Sequence, residues 1–181
     1  MTDKNELLFL PLGGCNEIGM NLNAYAYGPP HDRRWIIVDM GVSFGDDRTP
    51  GIDVICPDPS FLEDHLENIE AIILTHAHED HIGAVGHFWR RFRKPLYATP
   101  FTAELIQGKL HEAGIADLAN LNVVPLGGKV ELGPFSIEYV TLTHSIPEPN
   151  GLAIRTPLGL ILHTGDWKID PDPLIGEPFD S

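Results

Sequence analysis

Ala71-Ile72-Ile73-Leu74-Thr75-His76-Ala77-His78-Glu79-Asp80-His81 is the stretch on which the fold turns. Its first five residues are apolar and partly β-branched, the pattern of a short strand buried on both faces. The next six carry His76, His78 and His81 with the carboxylate of Asp80, which reads as a site for two metal ions. Imidazole nitrogen binds zinc at about 2.0–2.1 Å and carboxylate oxygen at about 2.0–2.2 Å, so such donors must converge closely. Beyond them, Ile82, Val85, Phe88, Trp89 and Phe92 recur at helical spacing and predict a helix over 81–92. The motif therefore sits where a strand ends and a helix begins, a loop position on which folds mount chemistry. A solvated, histidine-rich polar turn is the competing reading, and the density of metal donors weighs against it.

The 181 residues suffice for one domain with a real core. Apolar residues make up 43% and charged residues 21%, ordinary for a soluble globular protein. No run approaches the roughly 18 uninterrupted apolar residues of a membrane span. The start, Met1-Thr2-Asp3-Lys4-Asn5-Glu6, lacks a basic-then-apolar signal pattern, so no membrane association and a cytoplasmic location are expected. Cys15 and Cys56 are too few for a disulfide framework and read as small buried residues. The formal charge of −14 argues against a generally basic nucleic-acid surface. Arg90, Arg91, Arg93 and Lys94 are the local exception; they close the predicted helix, where the dipole favours cations.

Strands are predicted over 7–12, 22–27, 35–40, 71–75, 122–125, 135–143, 152–156 and 160–163, and helices over 61–65, 81–92 and 100–113. Gly28-Pro29-Pro30 and Thr156-Pro157-Leu158-Gly159 read as hairpin connections. Many strands with a few interspersed helices predict a layered α/β or α+β domain. That domain is expected over 1–169. Residues 170–181, beginning Asp170-Pro171-Asp172-Pro173, have no periodicity and read as a linker leaving it.

A two-metal centre needs more donors than one loop supplies. His144 follows the strand predicted over 135–143, and Asp166 follows 160–163 across a Thr-Gly turn. Aligned strands would bring both to the sheet edge where His76 sits. Asp39 is a further strand-end acid, suited to orient a ligand imidazole. His163 lies inside an apolar run and reads as a hydrogen-bonded neighbour of the centre rather than a ligand. Asp80 and Asp166 are the candidate catalytic carboxylates: they offset metal charge, and Asp166 is placed to bridge two ions. Metal lowers the pKa of water from 15.7 to about 7, and two ions roughly 3.5–4 Å apart clamp a phosphoryl or carbonyl oxygen. His31, His65, His87 and His111 have no cluster of metal donors near them in sequence and read as solvent or packing residues, Glu17 reads as a structural hydrogen-bonding residue, and Ser145 lacks the setting of a serine nucleophile.

Thr75-His76-Ala77-His78-Glu79-Asp80-His81-Ile82-Gly83 resembles the HxHxDH signature of the metallo-β-lactamase superfamily. Three further segments resemble the ribonuclease J branch of its β-CASP group. They are Pro11-Leu12-Gly13-Gly14-Cys15-Asn16-Glu17-Ile18-Gly19-Met20-Asn21, Thr143-His144-Ser145-Ile146-Pro147, and His163-Thr164-Gly165-Asp166-Trp167-Lys168. The resemblance implies one zinc on His76, His78 and His144 and another on Asp80 and His81, with Asp166 bridging. It implies an αββα sandwich interrupted by an inserted β-CASP domain that helps bind RNA, and hydrolysis of RNA phosphodiesters as a 5′-to-3′ exonuclease and an endonuclease. A homo-oligomer is expected of the complete enzyme.

The chain departs from that pattern in two ways. A further ligand histidine, the phosphate-binding loop and the rest of the second sheet follow the insertion in the family, so an incomplete sandwich with an incomplete second metal site and weak or no activity alone is expected here. Glu148-Pro149-Asn150 replaces the family's acidic-then-small pair. Manganese suits the same donors as zinc. The alternatives are a hydrolase of a small thioester or lactam on the same fold, and a truncated module that binds without turnover.

Overall fold

The computed structural model describes residues 4–176. In chain order its strands are β1 (Glu6–Gly13), β2 (Leu22–Gly28), β3 (Arg34–Val38), β4 (Ser43–Phe44), β5 (Val54–Ile55), β6 (Ile69–Ile73), β7 (Leu96–Ala98), β8 (Leu121–Val123), β9 (Lys129–Leu132), β10 (Phe135–Thr141), β11 (Asn150–Thr156) and β12 (Gly159–His163). The helices are α1 (Ser60–Glu63), α2 (Glu79–Ile82), α3 (Val85–Phe92) and α4 (Pro100–Glu112). A six-stranded sheet runs β1-β2-β3-β6-β7-β8, antiparallel as far as β3 and parallel from there to β8. A four-stranded antiparallel meander runs β12-β11-β10-β9, and β4 pairs with β5 separately.

Successive side chains of a strand point to opposite faces, and the central strands are apolar on both. Trp35 and Ile37 of β3 and Ile72 of β6 face a helical layer built from Leu62, Ile82, Val85, Phe88, Trp89, Phe92, Ile106 and Leu110. Ile36 and Val38, with Ala71 and Ile73, face the second sheet, where Phe135, Ile137, Tyr139, Leu152 and Ile154 close the other core. The continuous apolar run over 71–74 is thus the signature of a strand between two cores. Among the described residues no helix covers the outer face of the four-stranded sheet. Glu138 there pairs with Arg155 and Lys129, and Leu160 and Leu162 are each 61% exposed. The layers are α/β/β, the incomplete sandwich expected.

Several expectations need correction in detail. The helix predicted over 81–92 is broken into α2 and α3, because α2 spends its carbonyls elsewhere. The Asp80 carbonyl accepts from Asn21 N, the His81 carbonyl accepts from Met40 N, and Ala84 N donates to the Met40 carbonyl. That interlocking requires a glycine at 41, where an added Cβ would stand 1.6 Å from the Asp80 carbonyl oxygen. The short strands β4, β5, β7 and β9 lie outside the predicted elements, since two to four residues give too little alternation to register. The helix expected over 61–65 is the single turn α1. Cys15 is exposed because it lies in the turn after β1, whereas Cys56 packs against the helical core. Residues 170–176 form no helix or strand, while 177–181, like 1–3, lie outside the described residues.

Candidate metal centre

Topology gathers the donors on one rim. β3 and β6 are parallel, so Asp39 and the loop from His76 leave the same edge of the six-stranded sheet. β2 is antiparallel to β3 and begins there, which adds Asn21. In the facing sheet β10 and β12 both end on this rim, delivering His144 and Asp166, and the intervening β11 begins there with Asn150.

The side-chain geometry follows. Donor atoms of His76, His78 and His144 lie within 4.8 Å of one another, and so do those of His76, His81 and Asp166. The His76 and His81 rings are 4.0 Å apart at their centroids, and His78 is 4.8 Å from His144. Asp166 Oδ2 stands 3.5 Å from His81 Nε2 and 3.8 Å from His144 Nε2, between the two groups. Asp80 belongs to neither group, its Oδ2 lying 3.5 Å from His81 Nε2. Neutral imidazoles with one or two carboxylates suit a borderline divalent ion.

Beneath the donors lies Asp39, fully buried and with a left-handed backbone (φ 64°) that aspartate tolerates better than most residues. Its Oδ2 accepts the Nδ1 hydrogen of His81 at 2.7 Å, and its Oδ1 accepts from Thr75 N at 2.8 Å. This bond turns His81 Nε2 toward the centre. The Thr75 hydroxyl also touches His76 Nδ1 at 3.0 Å, so one threonine links the acid to a second ring. Burial opposes charge on Asp39, but His81 beside it holds its pKa below the usual range. Burial likewise opposes charge on His81, yet Asp39, Asp166 and Asp80 outweigh it and raise its pKa to about 10. Burial and the neighbouring His81 push His76 down to about 3. The hydrogen bond from His81 lowers Asp166 to about 2, so this acid is ionised at neutral pH.

His163 is no member of either donor group. Its Nδ1 meets the hydroxyl of Tyr25 at 3.0 Å, a polar tie from β12 to β2 across the two sheets. Sequence reasoning missed Tyr25, since a tyrosine in a strand reads as core. It also missed three residues at strand or loop ends. Asn150 is fully buried and donates to the carbonyl of Thr75 at 3.0 Å, joining β11 to the His76 loop. Glu148 Oε2 accepts from Phe101 N at 2.9 Å and so caps α4 from the His144 loop. Asn21 points its amide at Asp80 and His81. The strand-end rule that found Asp39 and Asp166 would have found Asn21 and Asn150 had it been applied to the starts of antiparallel strands. Glu17 makes the expected structural bond, accepting from Gly14 N. The arginines at the end of α3 are structurally engaged: Arg90 donates to the Gly114 carbonyl, Arg93 to the Arg90 carbonyl, and Arg91 pairs with Glu63.

Residues 19–168 match the family model described as the metallo-beta-lactamase superfamily. The chain belongs to that superfamily. It is 48% identical over 176 residues to a Ribonuclease J of Sinorhizobium meliloti, covering 97% of this chain and 31% of the relative. Against a Ribonuclease J of Synechocystis it is 39% identical, covering 99% of this chain and 28% of the relative. The chain thus spans about a third of the length of these curated relatives. The crystal structure of a protein of unknown function from Enterococcus faecalis superposes with a TM-score of 0.62 at 20% identity, over 91% of this chain and 44% of that one, which supports the fold. No helix among the described residues is long and apolar enough to cross a membrane.

Proposed function

We propose that this superfamily member carries the two-zinc centre of a ribonuclease of the ribonuclease J type, hydrolysing RNA phosphodiesters from the 5′ end and internally. The observation that carries the reading is the position of Asp166 Oδ2 between two donor groups, 3.5 Å from His81 and 3.8 Å from His144. In this reading His76, His78 and His144 would hold one ion, Asp80 and His81 would hold the other, and Asp166 would be shared between them. Manganese would fit the same donors. The ions, when bound, supply an acidified water for attack and Lewis acidity for the phosphoryl oxygen.

The chain's own residues divide the remaining work. Asp39 fixes the His81 tautomer through the Nδ1 hydrogen. Asp166, ionised at neutral pH, offsets cationic charge at the rim. His163 steadies the strand that delivers Asp166. Residues 1–169 form the catalytic half-domain and 170–181 lead toward an RNA-binding insertion. The complete protein is cytoplasmic and homo-oligomeric, and the chain alone has weak or no activity.

RNA is preferred to a thioester or lactam because the relatives at 48% and 39% identity are named ribonucleases. The test is cleavage of a 5′-monophosphorylated RNA by a protein of the relatives' full length that contains these 181 residues. His78→Ala is expected to abolish cleavage, and unchanged cleavage overturns the reading. Inert RNA with rapid turnover of a thioester would transfer the centre to small-molecule chemistry.

A further inference from the structure

We propose that Asn21 is a positioning residue that holds Asp80 in place as a ligand of the second ion, a role that rests on the two-metal reading above. The Asn21 backbone already performs the structural task. Its N–H donates to the Asp80 carbonyl at 2.9 Å and its carbonyl accepts from Gly41 N at 2.8 Å, locking the loop before β2 to α2. The side chain is then free for a second purpose, and its orientation is fixed by its neighbours. Nδ2 lies 3.0 Å from the Asp80 carbonyl oxygen and 3.5 Å from Asp80 Oδ2, both acceptors only, so the nitrogen and not the oxygen faces the centre. Oδ1 turns the other way, against Gly14, where an added Cβ would stand only 2.2 Å from it.

An amide nitrogen carries two hydrogens. One is spent on the Asp80 carbonyl. The other points at His81 Nε2, 3.2 Å away, and at Asp80 Oδ2. Asp39 takes the Nδ1 hydrogen of His81, so Nε2 is the nitrogen left for an ion. Once Nε2 is engaged it has no lone pair for Asn21, and the Asp80 carboxylate is the acceptor within reach. Asn21 then bonds Oδ2, the carboxylate oxygen that also faces His81 Nε2, and holds the carboxylate toward the donor group. Asp80 meets one imidazole, His81 at 3.5 Å, whereas Asp166 lies between two, so Asn21 is the further side chain that can fix the Asp80 carboxylate among the described residues.

The experiment is a zinc titration of a protein of the relatives' full length that contains these 181 residues, against a chromophoric chelator, with far-UV circular dichroism as the check on folding. The intact full-length protein is expected to take up two ions in separable steps, and Asp80→Ala to lose the second. Asn21→Ala is expected to weaken the second step tenfold or more and to leave the first unchanged, the scale on which residues that orient a metal ligand act. Asn21→Leu, which keeps the volume without the donor, should do the same should the alanine variant not fold. Asn21→Ser, which retains a hydroxyl donor, should recover part of the loss. If the alanine and leucine variants leave both steps unchanged, or weaken both equally, Asn21 has no positioning role. Uptake of a single ion by the unaltered full-length protein would instead overturn the two-metal reading itself, and the role of Asn21 with it.

Discussion

The two sheets bring their donors to the shared rim by different means. The six-stranded sheet supplies His76, His78, Asp80 and His81 from one loop, and supports it from directly below with a buried carboxylate, Asp39. The four-stranded sheet supplies His144 and Asp166 from two separate loops and, among the described residues, has no buried charge beneath them. It relies on neutral ties instead: Tyr25 to His163 between the sheets, Asn150 to the carbonyl of Thr75, and a reciprocal pair in which Lys168 N donates to the Thr143 carbonyl while the Thr143 hydroxyl donates to the Lys168 carbonyl. One half of the centre is set by electrostatics in a dry interior. The other is set by the registry of two packed sheets.

Removing Asp39 is the harshest way to break the first half. Asp39→Ala leaves His81 buried beside no partner at Nδ1, and breaking a buried pair costs about 3–5 kcal/mol. Chemical denaturation should record a loss of that order, and zinc competition a drop in affinity of about 10–100-fold. A stability change below about 1 kcal/mol would mean that the carboxylate is not the support described here.

The acid and base limits of the chelator-stripped chain probe the same half next. His81 has its pKa raised from 6.5 to about 10, so its contribution is full below pH 6.5 and is lost as pH rises toward 10. His76 has its pKa lowered from 6.5 to about 3, so it costs nothing above pH 6.5 and destabilises increasingly as pH falls toward 3. For this pair stability should peak near pH 6.5 and decline on both sides. Saturating zinc should remove the alkaline decline, because the ion takes the place of the Nε2 proton. A stability that keeps rising from pH 7 to 9 without metal would refute the assignment.

The second half should respond more gently. Tyr25→Phe deletes only the tie to His163 and should cost about 0.5–1.5 kcal/mol, read as a shift in denaturation midpoint. Its effect on zinc uptake should fall on the Asp166 side, sharpening the contrast with Asp39→Ala. Smallest of all should be Lys109→Ala. It removes the partner of Glu79 on the outer side of α2, a half-exposed pair worth about 0.2–1 kcal/mol, and should leave metal uptake unchanged.

The same division explains what could be read from the sequence. The donors after β6 are contiguous, and the strand before them is marked by its unbroken apolar run, so fold class and half the centre were visible locally. His144 and Asp166 were found only by assuming that strand ends align, which the two sheets satisfy. The ties were not visible, because each joins residues far apart in sequence whose types have ordinary local uses. Tyr25 lies in a strand and Glu148 in a proline-rich turn, yet one crosses the core and the other caps a helix 47 residues upstream. The break between α2 and α3 escaped for a related reason. Periodicity records which side chains are apolar and says nothing of backbone carbonyls claimed by another segment.

The segment after β3 belongs to no strand or helix, yet four consecutive amides in it are bonded: Asp39 to the Ile73 carbonyl, Met40 to His81, Gly41 to Asn21 and Val42 to Glu79. In hydrogen–deuterium exchange this apparent loop should therefore behave like a central strand, its protons lost only when the rim as a whole opens.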